Sequence, residues 1–126
     1  MKATILVVDD ALETRNLLKF ILEQEGYGIV LSSNGREAAS LLESFKPDLI
    51  IADLVMPKMG GIDLIKSIRS RPELAVTPII VISAFLSYLE EGKKAGATVA
   101  IEKPVDVLEL PKIISELLPK TNGAAH

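Results

Sequence analysis

Short, almost wholly apolar runs rich in valine and isoleucine alternate along this chain with longer segments of helical periodicity. The runs cover 4–8, 29–31, 49–52, 79–82 and 99–101. Each has the length of a strand, and neither face of it carries a polar stripe, so both faces must be covered by other elements. Such strands are typical of a parallel sheet with helices on both sides, joined by right-handed crossovers. The pattern therefore predicts an α/β fold with five strands and five helices.

The segments between the strands carry apolar residues three or four positions apart, which is the spacing of a helix with one buried face. Gly26 marks the end of the first helix, and Ser33 or Asn34 caps the second unless Asn34 and Gly35 form a hairpin turn. The fourth helix covers about 86–94, and the last covers about 107–118 unless Pro111 delays its start. The residues predicted to face the core are Leu17, Leu18, Ile21, Leu22, Ala38, Leu41, Leu42, Ile62, Ile65, Ile68, Val107, Leu110, Ile114, Leu117 and Leu118.

The composition is that of one ordinary globular domain. With 126 residues, 48% of them hydrophobic and 25% charged, the chain can bury one core without crosslinks. We expect the domain to span 1–119 and 120–126 to be a linker stub or an expression remnant; the only histidine, His126, lies in this stub. Because the chain has no cysteine, disulfides, thiolate zinc sites and cysteine nucleophiles are excluded.

The net charge and the length of the apolar runs exclude further classes of function. A net charge of -3 is unfavourable for direct nucleic-acid binding, which needs a basic surface. No apolar run is long enough for a signal-peptide core or a membrane span. We therefore expect a cytoplasmic protein that binds neither nucleic acid nor membrane directly.

Polar residues stand where the predicted strands end. Asp9 and Asp10 follow the first strand, Asp53 follows the third, Ser83 ends the fourth, and Lys103 follows the fifth. The carboxyl ends of parallel strands meet at one edge of a sheet, where open α/β folds bind their ligands. We therefore expect these five side chains to lie close together.

The chemistry of this predicted cluster indicates a cation and a phosphoryl group. Two carboxylates about 4 Å apart repel by roughly 4 kcal/mol at an effective dielectric constant near 20, so three of them require a positive charge. A set of oxygen ligands with no histidine or cysteine is typical of Mg²⁺. Lys103 and Ser83 supply donors for phosphoryl oxygens. An aspartate that attacks phosphorus forms an aspartyl phosphate.

Each of these residues also has an explanation that involves no chemistry. Asp10 could be the N-cap of the first helix, whereas Asp9 has no such structural explanation. Asp53 could be a turn residue, Ser83 a strand-end hydroxyl and Lys103 a solvated surface lysine. The functional interpretation therefore depends on all five lying at one edge.

Four motifs in this order resemble the receiver domain of two-component response regulators over essentially 2–118. They are Val8-Asp9-Asp10, Asp53 to Pro57 with Gly60-Gly61, Ser83-Ala84 and Lys103-Pro104. The resemblance implies a flavodoxin-like, doubly wound five-stranded parallel sheet in the order 2-1-3-4-5. It also implies a phosphoprotein that acts in signal transduction. Such a protein is not an enzyme in the usual sense, because it catalyses only its own phosphorylation and dephosphorylation.

The resemblance assigns roles to the acidic residues. Asp53 would accept a phosphoryl group from the phosphohistidine of a sensor histidine kinase or of a phosphotransfer protein. Asp10 and Asp53 would ligate Mg²⁺ directly, together with the backbone carbonyl of Val55, and Asp9 would act mainly through water.

The remaining motifs are assigned to the phosphoryl oxygens and to the output. Ser83 would bond one phosphoryl oxygen, helped by the amide of Ala84, and Lys103 would bond another. The Lys103-Pro104 peptide bond is commonly cis in this family. Phosphorylation would change the face formed by the last two helices, which would bind a downstream effector protein or domain.

The chain departs from the family pattern at Ala100, three residues before Lys103. Most receivers carry a tyrosine or phenylalanine there that changes rotamer together with the hydroxyl residue. We therefore expect Phe85 or Tyr88 to fill the vacated space, or the output to differ. Two positions tune dephosphorylation in this family: two residues after the acceptor and two residues after the hydroxyl residue. Here they are Val55 and Phe85, which are both apolar, so we expect them to hinder the attacking water and to prolong the phosphorylated state.

Three alternatives belong to other classes of function. A hydrolase of the haloacid dehalogenase type needs a second aspartate two residues after the nucleophile, where this chain has Val55. A nucleotide-binding module needs a glycine-rich loop after a strand, but Gly26 and Gly28 precede one. The remaining alternative is a receiver-fold docking module that acts without phosphorylation.

Overall fold

The computed structural model describes residues 3–55 and 59–118. In these residues the strands are β1 (Thr4–Val8), β2 (Gly28–Ser32), β3 (Leu49–Asp53), β4 (Ile79–Ser83) and β5 (Val99–Glu102). The helices are α1 (Leu12–Gln24), α2 (Gly35–Leu41), α3 (Gly61–Arg69), α4 (Leu86–Ala95) and α5 (Leu110–Leu117), and a 3₁₀ turn at Pro72–Leu74 follows α3. The predicted alternation of strands and helices is confirmed, whereas Pro57 and the predicted stub 120–126 lie outside the described residues.

All the strands run parallel in a single sheet with the order β2-β1-β3-β4-β5. The strand order reverses between β1 and β3, whose last paired residues are Val8 and Ala52. This is the flavodoxin-like, doubly wound arrangement, and the predicted fold class is confirmed. In such sheets a ligand binds outside the carboxyl ends of the strands at the point of reversal.

The two faces of the sheet carry two separate apolar cores. Leu6 and Val81 point into the core covered by α2, α3 and α4, and Ile5 and Ile80 point into the core covered by α1 and α5. Neighbouring residues of one strand enter opposite cores because side chains alternate across a strand. Every residue of β3 and β4 is buried, so the strand ends at the reversal point are held firmly from both sides.

The end of the first helix and the start of the second follow the sequence signals. Gly26 has a φ of 94° directly after α1, a conformation that glycine adopts without steric penalty. The side chain of Asn34 accepts from the amide of Glu37 at 2.8 Å, and the carboxylate of Glu37 accepts from the amide of Ser33 at 2.8 Å. Asn34 is therefore the cap of α2, Glu37 also binds the amide that precedes the cap, and the helix that begins at Gly35 excludes the hairpin turn.

One prediction about the inner face of α1 is wrong. Leu18 and Leu22 are buried, but the side chain of Leu17 is 50% exposed. Helix α1 turns Leu18 and Leu22 toward the sheet, and Leu17, about 100° away from Leu18 around the helix, lies at the solvent-exposed edge of that face.

Of the two predicted starts of the last helix, the one at residue 107 is wrong and the later one near Pro111 is confirmed. Asp106 accepts from the amides of Leu108 and Glu109 at 2.9 and 3.3 Å and forms a separate turn. Helix α5 begins only at Leu110, next to Pro111. Val107 therefore lies in the turn and is 37% exposed, not directed inward as predicted.

None of the helices within residues 3–55 and 59–118 combines the length and the apolar character that a membrane span requires.

Candidate functional site

Three carboxylates meet at the carboxyl edge of the sheet. Asp9 and Asp10 follow β1 and Asp53 ends β3, and one oxygen from each carboxylate lies within 4.8 Å of the other two. Asp9 and Asp53 are only 1% and 5% exposed, whereas Asp10 is exposed. The acidic cluster predicted from the strand ends is therefore present.

Asp9 is fixed by three hydrogen bonds. Its amide donates to the carbonyl of Ser32 at 3.1 Å, its Oδ1 accepts from the amide of Ala11 at 2.9 Å, and its carbonyl accepts from Arg15 at 2.7 Å. The N-cap position of α1 is Ala11, without a side-chain cap. The alternative that Asp10 caps this helix is therefore wrong. Asp9, which was expected to have no structural role, does have one, because its carboxylate binds the amide of Ala11 in the turn that leads into the helix.

The carboxylate of Asp53 is held by two donors. Its Oδ1 accepts from the amide of Val55 at 3.1 Å, and its Oδ2 accepts from the ammonium group of Lys103 at 3.1 Å. Lys103 follows β5, its own amide donates to the carbonyl of Ser83 at 2.9 Å, and its peptide bond to Pro104 is cis. The lysine predicted to face the acidic cluster does so.

Ser83 ends β4 and is 1% exposed. Its hydroxyl accepts from the amide of Phe85 at 3.0 Å, and among the described residues no hydrogen bond joins this hydroxyl to the side chain of another predicted site residue. The structure therefore joins the three aspartates and Lys103 directly, and it places Ser83 at the end of the strand next to Asp53.

The electrostatics of the cluster fit a bound cation. Burial raises the pKa of the Asp9 carboxyl above its ordinary value, and the neighbouring Asp53 and Asp10 carboxylates raise it further, although the amide of Ala11 and the charge of Lys103 oppose them. A divalent cation removes the repulsion that disfavours the ionised form. The donors are all oxygens, which suits Mg²⁺, so the residues present fit this metal.

We expect Asp9→Asn to raise the melting temperature of the metal-free protein at neutral pH by about 3 °C. The amide oxygen of asparagine still accepts from Ala11, but one buried charge disappears. Because the folded-state pKa of Asp9 is raised, the wild type gains stability as the pH falls through that pKa and loses it as the pH rises. The difference between variant and wild type therefore shrinks in acid.

Melting curves in EDTA at several pH values test this expectation, with Asp63→Asn on the exposed side of α3 as the control for a surface carboxylate. We expect added Mg²⁺ to stabilise the wild type more than the Asp9 variant. A variant that melts below the wild type at neutral pH in EDTA contradicts the electrostatic account.

Phe85 and Tyr88, the two aromatic residues expected to compensate for Ala100, lie at the surface of the protein. Their side chains are 56% and 41% exposed, and their rings contact each other edge to face with centroids 5.6 Å apart. Ala100 is itself packed against the core beneath α4. The expectation that one of these aromatic side chains occupies the vacated position, or that the output differs, stays a prediction.

Two residues of this site were not predicted from the sequence. Arg15 binds the carbonyl of Asp9, and a backbone acceptor leaves no signal in the sequence. Gly61 was noted only as part of a motif, but a Cβ atom there would lie 2.6 Å from the Cα of Leu54 and 2.7 Å from the carbonyl oxygen of Asp53. The chain after β3 therefore returns so closely to Asp53 that only glycine fits.

The sequence matches the family described as "Response regulator receiver domain" over residues 5–115. An uncharacterized 14.6 kDa protein of Leptolyngbya boryana is 40% identical over 116 residues, which are 89% of this chain and 87% of the relative. Sporulation initiation phosphotransferase F of Bacillus subtilis is 31% identical over 94% of this chain and 96% of its own length.

A solved structure with the same fold is that of the response regulator TrrA from Thermotoga maritima in complex with Mg(2+)-BeF. It has a TM-score of 0.84 and 34% identity, and the match covers 93% of this chain and all of that chain. The chain belongs to the response regulator receiver domain family of two-component systems. Its acidic cluster could bind a metal, and that relative carries Mg²⁺.

Proposed function

We propose that this protein is a phosphoacceptor that takes a phosphoryl group onto Asp53 in a Mg²⁺-dependent reaction. The observation that carries the proposal is the environment of the Asp53 carboxylate, which is bound by Lys103 on one oxygen and lies beside Asp9 and Asp10. A buried carboxylate with a purely structural role would not be expected to lie beside two further carboxylates, because like charges repel one another. The Bacillus subtilis relative is named as a phosphotransferase, which agrees with such chemistry.

In the proposed reaction an oxygen of Asp53 attacks the phosphorus of a phosphohistidine on the donor protein. The new O–P bond forms as the N–P bond breaks, and the imidazole keeps the electron pair and takes up a proton. Lys103 neutralises charge on one phosphoryl oxygen, and Ser83 binds another after its hydroxyl leaves the amide of Phe85. The protein contributes position and charge, and Asp53 is its only nucleophile in this step.

Asp9, Asp10, Asp53 and the backbone carbonyl of Val55 would hold the metal. When bound there, Mg²⁺ supplies positive charge for the phosphoryl oxygens. The exposed position of Asp10 leaves that side of the cluster accessible to solvent and to a donor protein.

The partners proposed are a sensor histidine kinase or a phosphotransfer protein as donor and an effector protein or domain as the receiver of the signal. Direct contact with nucleic acid is not part of the proposal, because the net charge is -3. We also propose that the domain comprises 1–119 and that 120–126 form a linker stub.

Incubation with acetyl phosphate tests the proposal, with the intact mass of the protein as the readout. We expect the addition of one phosphoryl group with Mg²⁺ and none with EDTA. A protein that gains no mass in Mg²⁺ while binding its effector unchanged supports the other candidate, a docking module that acts without phosphorylation.

The apolar side chains beside the acceptor are expected to slow dephosphorylation. Val55 and Phe85 are 48% and 56% exposed, their amides donate to Asp53 and Ser83, and neither side chain can activate water. We expect Val55→Asn to speed hydrolysis of the phosphorylated protein about tenfold, which corresponds to about 1.4 kcal/mol in the barrier.

The loss of the phosphoryl group with time, followed by mass spectrometry after removal of acetyl phosphate, measures this rate. Val76→Asn is the control, since Val76 is 91% exposed in the connection between α3 and β4. Rapid hydrolysis by the wild type, or equal rates in wild type and Val55→Asn, contradicts the expectation.

A further inference from the structure

Arg15 holds the peptide group that joins two of the acidic residues. Its Nη1 atom donates to the carbonyl oxygen of Asp9 at 2.7 Å, and this oxygen belongs to the planar peptide between Asp9 and Asp10. The orientation of that plane sets the direction in which the side chain of Asp10 extends from the main chain. The side chain of Asp10 makes no hydrogen bond with the other described residues, so the main chain is what directs its carboxylate.

The segment around this peptide is a closed turn. The amide of Arg15 donates to the carbonyl of Ala11 at 3.0 Å, and the amide of Ala11 donates to the carboxylate of Asp9 at 2.9 Å. The guanidinium group of Arg15 completes the turn by returning to the carbonyl of Asp9. A hydrogen bond with a charged donor is about twice as strong as a neutral one.

We propose that Arg15 is a positioning residue for the Mg²⁺ site, acting through the Asp9–Asp10 peptide. The proposal rests on the proposed function, because it takes Mg²⁺ as the ligand of the acidic cluster. The carboxylates repel one another when no metal is present, and Arg15 keeps the peptide between the first two in place against that repulsion. The cluster then binds the cation without first rearranging its main chain.

Whether replacement of Arg15 raises or lowers the affinity for Mg²⁺ distinguishes this role from a simple effect of charge. A guanidinium group near an acidic cluster repels Mg²⁺ through space, so its removal should strengthen metal binding if charge is all that matters. If Arg15 positions the peptide, its removal should weaken binding. Residues that orient the ligands of a metal typically change its affinity by about 10–100-fold when they are replaced.

The test is the affinity for Mg²⁺, measured by isothermal titration calorimetry at neutral pH without any phosphodonor. We expect Arg15→Met to bind Mg²⁺ about tenfold more weakly than the wild type. Lys19→Met is the matched control, because it removes an exposed positive charge from the same helix. We expect its affinity to be that of the wild type or slightly higher.

A second variant keeps the proposal testable if Arg15→Met does not fold. Arg15→Lys retains the charge but has a shorter side chain with a single terminal nitrogen, and we expect about threefold weaker binding. An affinity equal to or above that of the wild type in the variants that fold overturns the positioning role. A wild type that binds no Mg²⁺ overturns the proposed metal site itself, so the two failures are distinguishable.

Discussion

Replacement of Lys103 by methionine is expected to slow phosphorylation by acetyl phosphate at least about 100-fold. The ammonium group of Lys103 lies 3.1 Å from the Asp53 oxygen and is the only cation that pairs with a carboxylate of the described cluster. Removal of one such charge from a site that stabilises developing negative charge costs about 10²–10³ in rate. Because methionine keeps much of the apolar length of the side chain, the decrease in phosphorylation rate would result from the loss of the charge.

The same substitution should leave the metal site intact. Since Lys103→Met removes a cation next to the carboxylates, Mg²⁺ should bind at least as tightly as in the wild type. Lys94→Met on α4 is the control for charge, because this lysine is exposed. Phosphorylation of Lys103→Met at the wild-type rate contradicts the role assigned to this lysine.

Gly61→Ala is expected to lower the free energy of unfolding by about 3 kcal/mol, or roughly 10 °C in melting temperature. The added Cβ would lie 2.6 Å from the Cα of Leu54 and 2.7 Å from the carbonyl oxygen of Asp53. Both atoms belong to the main chain, which cannot move aside without shifting the end of β3. Alanine normally stabilises a helix relative to glycine. A lower free energy of unfolding in Gly61→Ala would therefore result from the close approach of residue 61 to the main chain of Leu54 and Asp53.

Gly60→Ala provides a matched control one residue earlier. Among the described residues, a Cβ on Gly60 would meet only the carbonyl oxygen of Leu54, at 4.0 Å, and the φ of Gly60, -72°, suits any residue. We expect a change of less than about 1 kcal/mol for this variant. If thermal melts show equal effects for the two alanine variants, the close approach at Gly61 does not limit the fold.

The sheet could be predicted from the sequence because its signals are local. The apolar runs identify the strands, and the end of each strand shows which polar residues share an edge. Asp9, Asp53 and Ser83 were predicted together for this reason. Lys103 followed from the same argument, and its contact with Asp53 is confirmed.

The residues that were not predicted are those that contact main-chain atoms outside the regular helices and strands. Arg15 binds a carbonyl, and Gly61 is required by a close approach to Leu54. Arg69 behaves likewise, since its guanidinium donates to the carbonyls of Gly96 at 3.0 Å and Leu74 at 3.0 Å. Main-chain acceptors have no side-chain signature, so no pattern of residue types reveals such contacts.

The start of α5 shows a different limit. Apolar spacing predicted a helix from residue 107, but Asp106 accepts from two successive amides and forms a separate turn first. Side-chain periodicity does not distinguish a turn from the first turn of a helix. The sequence signal for the later start is Pro111, because proline is favoured in the first turn of a helix.

The central claim is that Asp53 carries the phosphoryl group. The most direct measurement treats the protein with acetyl phosphate and Mg²⁺, reduces the acyl phosphate with borohydride, and locates the resulting homoserine by peptide mass spectrometry. The account predicts homoserine at position 53 in the wild type and no phosphoryl group on Asp53→Asn. Reduction at Asp9 or Asp10 in place of Asp53, or undiminished phosphorylation of Asp53→Asn, would contradict it.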